Sequence, residues 1–183
     1  MRILILTLLI GVVSAPAWSQ KFKVGKIVDP TTNDTTYTSE LIPIGYNHKN
    51  HYVGKMYAQA IVFNRKSTFH LGLKLEYPTF QSYPAGMVVT LQLSGDTKLQ
   101  LVNPNPDLSG SKQGHERLRQ PEQIWYSYLE FPLSTEQVQV LEANDLLAVV
   151  YSDSVYTVDR KSVNVVSRMV VRVKALMKKN GAQ

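Results

Sequence analysis

The sequence contains no cysteine. That removes disulfides, thiolate metal sites, cysteine nucleophiles and lipid attachment at a thiol. Beyond residue 13 no apolar run approaches the roughly 20 residues that a helix needs to cross a bilayer. The 10 glycines are scattered through turns, with no phosphate-cradling loop, dinucleotide fingerprint, nucleophile elbow or zinc-protease pattern. Acidic side chains are missing from residues 160–183, where Arg160, Lys161, Arg168, Arg172, Lys174, Lys178 and Lys179 stand. Residues 20–159 carry 12 basic and 14 acidic side chains, so the formal charge of +6 resides in one C-terminal segment. A general nucleic-acid binder is basic over a broader surface, and nucleic acid is not an expected partner.

What is present begins with an address. Arg2 precedes an apolar run from Ile3 to Val13, and Ala17 and Ser19 are small residues placed for signal peptidase. Residues 1–19 read as a signal peptide cleaved after Ser19, which leaves a single exported domain over residues 20–183. The run is too short for a membrane anchor. A cysteine-free exported chain suits a bacterial envelope, either periplasmic or secreted.

Alternation of apolar and polar residues then marks strands. The clearest is 68–77, with Phe69, Leu71, Leu73, Leu75 and Tyr77 on one face and His70, Gly72, Lys74 and Glu76 on a face expected to be wet. Residues 21–28, 55–63, 87–93, 97–102, 124–131 and 146–151 read as further strands. Residues 29–40, 45–54 and 78–86 read as connectors, 152–154 as a turn, and 103–123 as a long mobile loop open to trypsin near Lys112, Arg117 or Arg119. Ser134 with Gln137 forms a capping box for a short helix over 135–143. A second helix is expected over 159–179, with Asp159 or Ser162 capping its start. Its valines also suit a strand, but 17 residues is long for one.

This second helix is amphipathic. Eight apolar side chains on one side would contribute about 12–24 kcal/mol gross if buried. Its basic side chains would contribute at most about 1 kcal/mol each at an anionic membrane. The expectation is therefore a lid on the sheet, with Val166, Val170, Val173 and Met177 buried and Arg168, Arg172 and Lys179 in water. The fold class is α+β: a mainly antiparallel sheet with both helices on one face. A small closed β-barrel with a C-terminal helix is the alternative.

No residue set assembles a catalytic, cofactor or metal site in the linear sequence. His48 and His51 have a chelating spacing but no local acidic third ligand. His115 and Glu116 lie in the expected loop, and Asn33 opens a short glycosylation pattern. Glu76 and Glu130 are candidates for a carboxylate pair across a sheet. Tyr46, Tyr52 and Tyr83 near loops offer flat rings with polar tips, and with Arg168 and Arg172 they make the candidate interaction surface. The expected function is an exported, non-catalytic binding or interaction domain, whose partner is a protein or another envelope component. The alternative is a small-ligand carrier or an enzyme with a site assembled only in three dimensions. Mass spectrometry of the exported protein should find an N-terminus at Gln20; an intact Met1 would contradict the signal-peptide reading.

Overall fold

The computed structural model describes residues 21–49, 52–63, 68–77, 81–105, 108–113, 123–152 and 154–179. The expected signal peptide, His51, His115, Glu116, Arg117 and Arg119 lie outside the described residues. Among the described residues eleven strands form, rather than the six or seven that alternation marks. They are β1 (Val24–Val28), β2 (Thr35–Ser39), β3 (Ile42–Lys49), β4 (Tyr52–Phe63), β5 (Thr68–Tyr77), β6 (Val88–Leu93), β7 (Lys98–Val102), β8 (Leu108–Gln113), β9 (Gln123–Leu133), β10 (Leu146–Tyr151) and β11 (Ser154–Val158). Two helices, α1 (Thr135–Ala143) and α2 (Val165–Lys179), complete the fold.

The pairings are antiparallel, in the order β7-β6-β10-β11-β3-β4-β5-β9-β8. β4 is the spine. One edge pairs with β5 from Met56↔Leu75 to Phe63↔Thr68. The other edge is shared end to end by β3 and β2, and β1 pairs outside β2. β7 and β8 are the two ends of this path, yet only residues 103–107 separate them in the chain. Nine flat strands would span about 38 Å, whereas that link reaches about 20 Å. The sheet must therefore curl, and it forms a half-barrel. Bulges between Pro43 and Gly45 and between Leu146 and Ala148 bend two of its strands. Gly45 is required at the first, because a Cβ there would meet the Thr157 carbonyl oxygen at 2.3 Å.

Both helices cover the same face, as the α+β reading expects. The core-facing row of β4 is Met56, Ala58, Ala60 and Val62, and the short side chains at Ala58 and Ala60 let α2 approach closely. α2 buries Val165, Val166, Met169, Val170, Val173 and Met177, which include all four residues expected to face the sheet. These six contribute about 9–18 kcal/mol gross, before conformational entropy is subtracted. α1 has the expected bounds and capping box: Ser134 Oγ accepts from the Gln137 amide at 3.2 Å, and Gln137 Oε1 accepts from the Ser134 amide at 2.8 Å.

Several sequence expectations are corrected. The supposed loop 103–123 contains β8, whose sequence LSGSKQ lacks apolar alternation and which is held by its ladder on β9. The connector 29–40 contains β2, where threonines favour extended backbone. Residues 45–49 and 52–54 are not loop: they belong to β3 and β4, which pair antiparallel there. β11 was unmarked because its five residues pair on both sides through backbone groups. α2 begins at Val165 rather than Asp159, whose carboxylate instead accepts from the Lys161 amide at 3.0 Å.

The lid carries a direct test. Val170 is about 1% exposed, so Val170→Asp places a charge in the core at a cost of several kcal/mol, a large part of a typical domain's stability of about 5–15 kcal/mol. Thermal melting should find this variant, and a chain stopped at Asp159, unfolded at room temperature; a cooperative melt in either would contradict the lid.

Candidate functional site

β5 sends His70, Gly72, Lys74 and Glu76 to the side of the sheet away from the helices. The expected wet face is not wet throughout. Cross-strand register sets Tyr57, Lys74 and Tyr128 in one row, Gln59, Gly72 and Glu130 in the next, and Ile61, His70 and Pro132 in a third. Lys74 Nζ lies 5.1 Å from the centre of the Tyr57 ring and 4.7 Å from that of Tyr126, a cation held against two π-faces. Glu76 is only 2% exposed, and its Oε1 takes Lys74 Nζ at 3.2 Å and Lys112 Nζ at 2.6 Å. Two cations on one carboxylate make its burial tolerable and tie β8 to β5.

Gly72 shapes the centre of this face. A Cβ there would sit 2.3 Å from the Tyr128 hydroxyl oxygen, so the phenol ring crosses the strand where a side chain would otherwise stand. Its hydroxyl donates to Gln59 Oε1 at 3.1 Å. Gln59 Nε2 in turn donates to Thr38 Oγ1 at 2.9 Å and to the Ser39 carbonyl at 2.8 Å. Burial, reinforced by the nearby Glu130 charge, pushes the Tyr128 phenol up to about 12.

Beside Tyr128 an open cleft of about 410 Å³ is lined by His70, Tyr128, Glu130 and Pro132 and by the link residues Asn103, Pro104 and Asn105, with Leu108 also on its wall. Leu108 is 72% exposed. His70 Nδ1 lies 2.8 Å from Glu130 Oε1, and the imidazole packs edge-on against Phe63 at 4.9 Å. Asn103 fixes the link from inside: it is buried, and its Nδ2 donates to the Tyr83 carbonyl at 2.9 Å. The cleft thus offers an aromatic ring, an acidic acceptor, an imidazole and side-chain amides.

The residues proposed from sequence do not gather into one surface. Tyr46 is half-buried in β3, opposite Lys55 and Thr157. Tyr52 starts β4 opposite Lys49 and His48 pairs with Val53, but their side chains lie outside the described ones. Tyr83 is fully buried, which corrects its assignment to a surface. Its ring packs on Tyr151 and Tyr77, its hydroxyl donates to Gln81 Oε1 at 3.1 Å, and burial raises its phenol far above the ordinary range. Arg168 and Arg172 lie on α2, their guanidinium carbons 5.4 and 4.7 Å from the centre of the Phe22 ring, and Arg172 donates to the Phe22 carbonyl at 3.1 Å. Arg172 and Lys179 are exposed, as expected, whereas Arg168 is half-buried; through Phe22 the two arginines hold down the N-terminal segment. Glu76 and Glu130 sit about four residues apart along the register, about 13 Å, so they are not a carboxylate pair. Among the described residues no three His, Asp or Glu side chains converge as a metal site. Sequence reasoning passed over Tyr57, Lys74, Tyr126 and Tyr128. The available signal was Gly72, a glycine in mid-strand.

Comparison with protein-family models, curated proteins and solved structures finds no match to this chain. The geometry itself is testable by NMR of ring-labelled tyrosine. Tyr128 should titrate near 12. Glu130→Gln should lower that value, because removing a negative neighbour eases loss of the phenol proton. Gly72→Ala should displace the ring and bring its titration closer to that of an exposed tyrosine at about 10; an unchanged value in both variants would contradict the arrangement.

Proposed function

We propose that this chain is an exported, non-catalytic binding domain of a cell envelope, and that the outer face of β5 and β9 takes a saccharide portion of an envelope component. The observation that carries this reading is the Tyr128 ring laid across Gly72 beside the cleft that holds Glu130 and His70. A pyranose has apolar C–H faces that stack on an aromatic ring and hydroxyls that donate to a carboxylate; the platform and the acceptor occur together. The open shape of the cleft fits a segment of a longer chain.

A glycoside hydrolase would need two carboxyl groups about 5–10 Å apart across the cleft. Among the described residues lining it, Glu130 is the one carboxylate. A carrier that encloses its ligand inside the half-barrel finds that space filled by α2 and by Tyr77, Tyr83 and Tyr156. Export is proposed on the signal-like residues 1–19.

Saturation-transfer NMR with soluble peptidoglycan fragments and with chitotriose provides the test. Binding should be at least tenfold weaker in Tyr128→Ala and in Glu130→Ala, and unchanged in Val155→Ala on the opposite part of the sheet, since a lost stacking or charged contact costs about 1.4 kcal/mol or more. Absence of transfer from both probes at millimolar concentration, or equal binding by all variants, would contradict the reading.

A further inference from the structure

We propose that the solvent side of α2, with the N-terminal strand beside it, is a docking surface for the anionic headgroups of a lipid bilayer, on which the domain rests without spanning it. With about 100° between successive helical residues, Val171 and Ala175 occupy the middle of the exposed sector of α2. Lys174 and Lys178 flank that centre on one side, and Arg168, Arg172 and Lys179 on the other. Val171 is 50% exposed. A small apolar centre between long cationic side chains matches the chemistry of a membrane interface. The apolar residues enter the headgroup boundary, and lysine and arginine stems lie flat while their charges reach phosphate.

A second, distant part of the chain joins the same side. Arg168 and Arg172 clasp the Phe22 ring, and α2 packs on β1, which brings exposed Lys26 next to the helix. Lys26 pairs in register with Tyr37, whose side chain is in the core beneath α2, so Lys26 is on the helix side of β1. Acidic groups are few here. Glu142 pairs with Lys174 at 2.6 Å, and Glu40 accepts from the Lys23 amide at 3.1 Å. Residues 160–179 contain no acid at all.

An apolar centre favours a bilayer over a nucleic acid, whose phosphate backbone gives Val171 nothing to contact. The placement also has a geometric consequence. The buried side of α2 rests on the inner face of β4, so its solvent side and the Tyr57–Gln59 side of β4 look in opposite directions. A domain seated on α2 presents the outer-face cleft away from the bilayer.

The test is co-sedimentation of protein purified after export with phosphatidylcholine vesicles, with and without about 30% phosphatidylglycerol, each charge near the surface being worth about fivefold in partition. Any contribution from residues 1–19 cancels, because all variants carry the same N-terminus. Anionic vesicles should bind and neutral ones should not, and raising salt from about 0.05 to about 0.3 M should weaken binding at least tenfold. Lys178→Glu with Lys179→Glu should lower partition at least about fiftyfold and Lys26→Glu about twenty-five-fold. Val171→Ser should lower it severalfold. Melting curves establish that each variant is folded, and Lys26→Glu gives a reading independent of the helix end. No binding to anionic vesicles, equal binding to both compositions, insensitivity to the substitutions, or tighter binding to duplex DNA or polyglutamate than to vesicles would overturn the proposal. None of these outcomes touches the saccharide reading, which is scored at Tyr128.

Discussion

The link of residues 103–107 joins the two ends of a nine-strand path, and a flat sheet cannot satisfy it. Curling produces a concave apolar face that α2 then fills. The two requirements support each other. The curl gathers Leu71, Leu73, Leu75, Val89, Leu91 and Phe131 around one volume, and the helix supplies the side chains that keep water out of it. Without α2 that apolar surface would be exposed, and without the curl the helix would cover only the strands beneath it.

Because the helices occupy the inside, the proposed recognition surface lies on the outside. There β5 and β9 carry a row structure of rings and charges in which each member constrains the next. Gly72 makes room for Tyr128, Tyr128 is held by Gln59, and Lys74 is caught between Tyr57, Tyr126 and Glu76. Side chains fixed in this way lose little freedom on binding, which is the physical advantage of building a site on strands rather than on a loop.

Legibility in the sequence followed the source of each element's stability. β5, α1 and β10 are recognisable to the residue because local pattern and capping specify them: alternating leucines, a Ser134–Gln137 box and a compact apolar run. β2, β3, β8 and β11 escaped because polar or mixed residues there are held by neighbouring ladders, a long-range cause with no periodic trace. Tyr83 misled because tyrosine is suited to both surface and interior; three neighbouring tyrosines and Gln81 decide the matter, and they are distant in sequence or unreadable as partners. The site escaped for the same reason. Tyr57, Lys74 and Tyr128 are 17 and 54 residues apart and meet only through register. The basic sector of α2, by contrast, was plain from a helical wheel, although its clasp on Phe22 was not.

The central claim is that the outer face of β5 and β9 is the recognition surface. Hydrogen exchange followed by mass spectrometry, with and without purified cell-wall polysaccharide, tests it most directly because it reports on the whole backbone without choosing a residue in advance. Exchange should slow in peptides covering residues 68–77 and 123–133. Slowing confined to residues 88–102 or 154–158, or no slowing anywhere, would contradict it.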